Sequence, residues 1–353
     1  MTSTLFLICI GACGRIGFDP GTSGSDAGAI DGGVDAATDG AVEAAIDAAI
    51  DAPVSGARRW RNRGDGAPGR LWSPRLAYHA GRETVILYGG SERGTPSAAM
   101  WELTDAGWSE LCASCPPGAR VSVQLAYDSG RGLLVLYGGE NTTKTLGDHW
   151  EWDGATWIQV SPAAPPGARS RGQLIYDSAR SRLVLIGGGP TGALSDVFEH
   201  DGVRWMPAGT APFELSGAGA QAAYDETSGR TFVINQGGGY VYDELWSRAS
   251  GSATWTRACD ACTGRPRSDG SIVFDPATMS LYLINGYDDD ESVAIAGTWQ
   301  WRPGATTMVS SLPGERDSSG VAYDAGRSVI VLYGGNGAAC EGDCAETWEM
   351  FLE

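Results

Sequence analysis

Three features of the sequence predict an all-β protein whose folded part, residues 57–353, is a single six-bladed β-propeller. First, an aromatic residue, usually followed by Asp, recurs at intervals of about 49 residues. The six copies are Tyr78, Tyr127, Tyr176, Tyr224, Phe274 and Tyr323. Second, each copy is followed by a turn and a short apolar run, which is typical of strands covered on both faces. Third, 52 glycines accompany 13 Trp and 12 Tyr, as expected for many short strands joined by tight turns.

The second repeat shows the pattern most completely. Leu133–Tyr137 is its apolar strand, Gly138-Gly139 ends that strand, and Trp150 and Trp157 follow as an aromatic pair. These residues resemble the kelch repeat, and the resemblance covers nearly all of the chain from Trp60 onward. It implies the propeller of kelch and galactose-oxidase-like proteins. It implies no particular activity, because kelch propellers are functionally diverse.

The last repeat stops after its third strand, near Trp348, and therefore lacks an outer strand. The segment around Trp60 stands before the first repeat much as Trp157 stands before the third. We therefore expect an N-terminal strand to complete the last blade, which would join the two ends of the propeller and cover an exposed sheet edge.

Residues 1–13 resemble a bacterial lipoprotein signal peptide. The apolar run from Leu5 is too short to span a bilayer, and it ends in a lipobox-like sequence whose cysteine is Cys13. Cys13 is thus the predicted lipidation site, and the protein is predicted to be exported and membrane-anchored, in the periplasm or on the cell surface of a bacterium. No Lys or Arg precedes the run, so a plain cleaved signal and a chance apolar start remain alternatives.

Residues 14–56 are rich in Ala, Asp and Gly and offer little to bury, which predicts a disordered tether. The whole chain has 25 basic and 43 acidic residues, for a net charge of -18. Such a balance repels phosphate backbones and argues against a nucleic acid partner.

Six cysteines outside the leader form three close pairs, and we predict a local disulfide in each. The pairs are Cys112/Cys115, Cys259/Cys262 and Cys340/Cys344. Two C-x-x-C pairs normally suggest zinc. Here they follow opposite blades of the predicted ring, roughly 20 Å apart on the usual sheet spacing, so they cannot share one metal. Free thiols and separate metal sites remain the alternatives to disulfides.

The three histidines, His79, His149 and His200, occupy different positions of their repeats and are not expected to converge on a metal. Galactose oxidase holds copper on Tyr and His ligands beside a Tyr-Cys crosslink, and that set has no counterpart that we can place in this sequence. We therefore predict no metal, no cofactor and no catalytic residue.

Arginine opens five of the six repeats, which suggests a ring of guanidinium groups near one mouth of the central channel. The five are Arg75, Arg120, Arg169, Arg267 and Arg316. Such a ring could bind an anionic ligand. The alternative is that these arginines are structural and form salt bridges or clamp loops.

These patterns favour a non-enzymatic module of the cell envelope that acts as a monomer and binds a protein or carbohydrate partner. A glycan-active hydrolase or lyase with a site at the channel mouth is the second hypothesis, and a purely architectural envelope protein is the third. Two carboxylates about 5 to 9.5 Å apart beside convergent arginine in a pocket would favour a glycosidase. A polar mouth without such a pair would favour binding.

Overall fold

The computed structural model describes residues 58–189, 194–211, 221–235, 244–260, 262, 267–288 and 291–352. Within them, six four-stranded antiparallel sheets form the blades of a propeller. The first strands of the blades contact one another in cyclic order, so the ring is closed around a central channel. The predicted six-bladed architecture is confirmed. Cys13 and the predicted leader and tether, 1–13 and 14–56, lie outside the described residues.

Each blade runs from an inner first strand to an outer fourth strand. Blades 1 and 2 consist of Arg75–His79, Thr84–Tyr88, Met100–Thr104 and Gly107–Cys112, and of Gln124–Asp128, Leu133–Tyr137, His149–Trp152 and Trp157–Val160. Blades 3 and 4 consist of Gln173–Asp177, Arg182–Ile186, Asp196–His200 and Trp205–Thr210, and of Gln221–Asp225, Arg230–Asn235, Glu244–Ala249 and Trp255–Cys259. Blades 5 and 6 consist of Ser271–Asp275, Ser280–Asp288, Val293–Arg302 and Ala305–Ser310, and of Gly320–Asp324, Val329–Tyr333, Glu346–Leu352 and Arg58–Asp65.

The second strands are the most deeply buried, as their uninterrupted apolar sequences predict. In blade 1, the four residues from Val85 to Tyr88 have no exposed surface. The hydrophobic clusters cross from one blade to the next: Val135 of blade 2, for example, belongs to the same cluster as Leu183 of blade 3. Each blade therefore covers its apolar faces with its neighbours, because no single blade could bury them alone.

The recurring tyrosine of the first strand bridges neighbouring blades. Its hydroxyl accepts a backbone N–H from the hairpin turn of the preceding blade. The pairs are Tyr127 with Gly81, Tyr176 with Gly130, and Tyr224 with Ala179. Blade 5 carries Phe274 at this position, and the preceding turn is held by its own Asp225, which accepts the N–H of Thr227 at 2.8 Å. The repeat's most regular residue thus has a structural role.

The N-terminal strand Arg58–Asp65 pairs with Glu346–Leu352 and completes blade 6, which confirms the predicted closure. Trp60 lies opposite Met350, and its indole N–H donates to Thr298 Oγ1 of blade 5 at 2.8 Å. Arg58 at the start of this strand forms a fully buried salt bridge with Asp275, also of blade 5. The closing strand is therefore fixed to two blades.

The end of the ring at which first strands begin and second strands end is here called the ribbon face. It carries two short two-stranded ribbons between second and third strands, Ser91–Glu92 with Thr95–Pro96 in blade 1 and Asn336–Gly337 with Gly342–Asp343 in blade 6. The helix Ala338–Cys340 is a single 3₁₀ turn within the second ribbon. In the described part of the chain, no helix is long and apolar enough to cross a bilayer.

Candidate functional site

Four of the five predicted arginines are buried clamps. Arg120, Arg169, Arg267 and Arg316 are each at most 2% exposed. Arg120, Arg169 and Arg316 donate to the carbonyl oxygen just after their own blade's second strand, at Gly138, Gly187 and Gly334. Arg267 donates to the equivalent carbonyl of Asn285, at a bulge within the longer second strand of blade 5. Ion pairs with Asp148, Asp196 and Glu346 hold Arg120, Arg169 and Arg316 respectively. The predicted ring of five arginines at the channel does not form, because these four guanidinium groups point into the loops that they hold together.

Arg75 is the exception, and its spacing in the sequence shows why. The four clamps stand seven residues before the recurring aromatic residue, whereas Arg75 stands three before Tyr78. The position that corresponds to the clamps in blade 1 is Leu71. Arg75 itself begins the first strand, where the other blades carry Gln124, Gln173, Gln221, Ser271 and Gly320. It therefore departs from the repeat at the channel wall.

Arg75 lies between two adjoining cavities of the channel: an upper cavity of about 30 Å³ toward the ribbon face and a lower cavity of about 90 Å³. Its Nε donates to the Val123 carbonyl at 3.1 Å and its Nη1 to Gln221 Oε1 at 3.3 Å. Among the described residues, no carboxylate forms an ion pair with it. Desolvation by the surrounding protein lowers the pKa of Arg75 to about 10, and the nearby charge of Asp269 offsets part of this effect.

The rim around Arg75 is polar and regular. Equivalent residues two positions before the first strands have left-handed backbone, with φ from 50° to 60°. They are Ser73, Ser122, Arg171, Asp269 and Ser318, and all five line the upper cavity. Their backbones are linked from blade to blade, Ser73 N–H to the Ser318 carbonyl at 3.0 Å and Ser318 N–H to that of Asp269 at 2.8 Å. Repeated strain of this kind is kept only where the surroundings hold the backbone firmly, so the rim is pre-organised.

Below Arg75, apolar side chains join the glutamines in the channel wall. The second residues of the first strands line this level, namely Leu76, Leu125, Leu174, Ala222, Ile272 and Val321. A space of about 90 Å³ admits a small group rather than a whole sugar ring. The channel can thus hold a small anionic group against Arg75, while the bulk of any ligand stays on the ribbon face.

A third, wider cavity opens beside the channel on the ribbon face. It measures about 450 Å³ and lies between the loops of blades 6, 1 and 2. Trp72 lines both this lateral cleft and the upper channel cavity. The sequence hypotheses did not include the cleft, because its walls come from loops of three different repeats.

The predicted disulfides are present at one of three pairs. Cys340 and Cys344 are joined, across the end of the blade 6 ribbon. Cys112, Cys115, Cys259 and Cys262 are thiols in the structure, so two predicted bonds are absent from it. The Cys115 Sγ is turned toward the carbonyl oxygen of Cys112 at 3.5 Å. Burial raises the pKa of the Cys115 thiol, which keeps it protonated.

Two of the three histidines meet in the interior, which the sequence reasoning missed. The His149 and His200 rings lie 5.0 Å apart between blades 2 and 3, each 2% exposed. His79 is elsewhere, 4.3 Å from the Tyr127 ring. Burial lowers the pKa of His200 to about 4, and the charge of His149 adds to this effect. Throughout the described ranges, no group of three or more His, Cys, Asp or Glu is placed to hold a metal.

Comparisons with known proteins bear on the fold. No protein-family model matches the sequence, and no curated protein does. Among the solved structures, 457 chains match. One of them, titled "Structure of YjhT", matches with a TM-score of 0.64 and 14% identity over 81% of this chain and 98% of that chain. This likeness shows the propeller fold, whereas the kelch resemblance of the repeats stays a prediction.

Proposed function

We propose that this propeller, kelch-like in its repeat, is a non-enzymatic binding module that holds an acidic ligand at the ribbon face. Arg75 carries the proposal. Its guanidinium is desolvated inside the channel and, among the described residues, faces no ion-pair partner. A carboxylate entering the upper cavity would supply the missing charge and accept two parallel N–H bonds, which is the geometry that arginine favours.

The other blades support this interpretation. Blades 2, 3 and 4 carry glutamine where blade 1 carries Arg75, and all three form the same strand at that point. Folding therefore does not require a charge at this position. A charge that the fold does not need, placed in a desolvated channel, is explained best by a ligand.

The test is calorimetric titration of the full-length chain with glucuronate and, for comparison, with glucose. We expect saturable binding of glucuronate alone, and loss of that binding in Arg75→Gln, which places the residue of blades 2 to 4 in blade 1. Arg204→Gln is the matched control, because it removes one exposed positive charge far from the channel axis. Equal glucuronate affinity in wild type and Arg75→Gln would contradict the proposal.

The same samples test the enzymatic alternative. Asp269 is the one carboxylate among the described residues that line the two channel cavities, whereas a glycosidase uses a pair about 5 to 9.5 Å apart. Incubation with acidic polysaccharides, followed by an assay for new reducing ends and for unsaturated products, should detect no turnover. Turnover that is lost in Asp269→Asn would replace the binding proposal with the glycan-active one.

We further propose that the module is displayed as a lipoprotein, attached through Cys13 and the 14–56 tether. The support is the lipobox-like sequence and the composition of the tether. Expression in a bacterium with a radiolabelled fatty acid should label the wild-type chain and leave Cys13→Ala unlabelled. Label in both would contradict lipidation at Cys13.

A further inference from the structure

The lateral cleft contains a tryptophan that the fold does not explain. At the repeat position of Trp72, the described blades carry Val121, Ser170, Ser268 and Asp317. Trp72 belongs to none of the hydrophobic core clusters and is only half-buried. A large aromatic side chain left partly exposed, where small or polar residues serve the other blades, points to a ligand rather than to packing.

The backbone of Trp72 is held in place by hydrogen bonds. Its backbone N–H donates to the Ser91 carbonyl, and the Ser91 N–H donates back, both at 2.8 Å. Its side chain lies beside Asp317, whose pKa is raised by desolvation, and the proximity of Ser318 and Trp72 offsets part of that rise. The backbone that carries the ring is therefore in place before any ligand arrives, which reduces the entropy lost on binding.

The walls of the cleft carry both apolar and polar side chains, and hydrogen bonds connect them. The blade 1 ribbon joins the blade 6 ribbon through Arg93, whose backbone N–H donates to Asp343 Oδ2 at 2.9 Å. Arg70 donates to the carbonyls of Cys340 and Asp343, and the disulfide to Cys344 closes the same ribbon. The two ribbons and the segment that carries Arg70 are thus held as one surface.

The cleft offers hydrogen-bond donors and acceptors above an aromatic face. Its polar lining comprises Arg93, Glu140, Asn141, Thr142, Asn336 and Asp343. The Arg93 guanidinium forms no ion pair or hydrogen bond within the described ranges, and so remains available as a donor. A volume of about 450 Å³ is within the usual range of small-ligand sites.

We infer that the lateral cleft binds a neutral saccharide ring, with the apolar C–H face of the sugar against Trp72 and its hydroxyl groups toward the polar walls. A pyranose combines one apolar face with a hydroxyl-bearing edge, which matches this lining. The site is separate from Arg75, because it recognises the ring and its hydroxyls rather than a carboxylate. Trp72 borders both cavities, so one acidic oligosaccharide could occupy the two together.

The test uses the full-length chain and four neutral probes: cellotetraose, maltotetraose, xylotetraose and the tetramer of N-acetylglucosamine. Calorimetry and saturation-transfer NMR at millimolar sugar should show saturable binding of at least one of them. Trp72→Val, which inserts the residue of blade 2, should weaken that binding by at least about tenfold. Arg93→Ala, an exposed change that leaves the Arg93 backbone bond in place, should weaken it by about threefold.

Two controls separate this inference from the proposed function. Arg75→Gln should keep the neutral-sugar affinity, and Trp150→Phe, at a half-buried indole outside the cleft, should keep it as well. If the neutral sugar is lost in Arg75→Gln but retained in Trp72→Val, it binds in the channel and the inference about the cleft is wrong. Absence of binding by all four probes would also overturn it, whatever the glucuronate result.

Discussion

The channel wall of blade 1 and the loops between the other blades use arginine for opposite purposes. In the loops, Arg169 is 1% exposed and donates to Asp196 and to the Gly187 carbonyl. At the channel wall, Arg75 has two neutral hydrogen-bond partners and, in the described structure, no ion pair. A repeat protein thus provides its own control: a residue that recurs at one repeat position serves the fold, and a residue that departs from its repeat position is free to serve a ligand.

The largest expected effect is on the free energy of unfolding, when one of the four buried loop arginines is replaced. Arg169→Leu leaves the Asp196 carboxylate without its cation and the Gly187 carbonyl without its donor. Breaking such a pair costs about 3 kcal/mol of unfolding free energy, since Arg169 is fully buried although Asp196 is partly exposed. Chemical denaturation should show the loss, while the glucuronate affinity of the folded protein stays unchanged. A stability within experimental error of wild type would mean that the clamp is dispensable.

The buried pair of His149 and His200 also departs from the repeat. For this pair we expect the free energy of unfolding to change with pH rather than with ligand. Because burial lowers the folded-state pKa of His200 to about 4, below its unfolded value, the unfolded chain binds protons first as the medium is acidified. We expect the unfolding free energy to fall by about 2 kcal/mol between roughly pH 6.5 and 4.

Replacing His200 tests this assignment. His200→Leu places in blade 3 the residue that blade 1 carries as Leu103, and should remove most of the fall in stability measured by denaturation across that pH range. Some fall should remain, because burial also lowers the pKa of His79. An unchanged pH profile in the variant would show that His200 does not titrate in this range.

The fold could be predicted closely from the sequence because each blade must bury its apolar second strand against the neighbouring blades. Three sequence features follow from that requirement: the spacing of Tyr127 and Tyr176, the apolar second strands and the missing outer strand. The site was predicted less well. Arg75 was grouped with the clamps on residue type alone, although its distance from Tyr78 sets it apart. The lateral cleft could not be predicted, since its walls are loops without periodicity and it depends on how three blades bring them together.

The smallest expected effect concerns the stability of the Arg75→Gln variant itself. An unpaired guanidinium in a desolvated channel costs free energy in the folded state, which is the reason for its lowered pKa. Glutamine keeps a donor for the neighbouring carbonyl of Val123 without the charge. Since Arg75 is only half-buried, solvent screens part of the cost, and we expect Arg75→Gln to stabilise the ligand-free protein by about 1 kcal/mol in chemical denaturation. With saturating glucuronate the order should reverse, because bound ligand stabilises the wild type alone. A variant that is less stable than wild type without ligand would place Arg75 among the structural arginines and remove the distinction between the two regions.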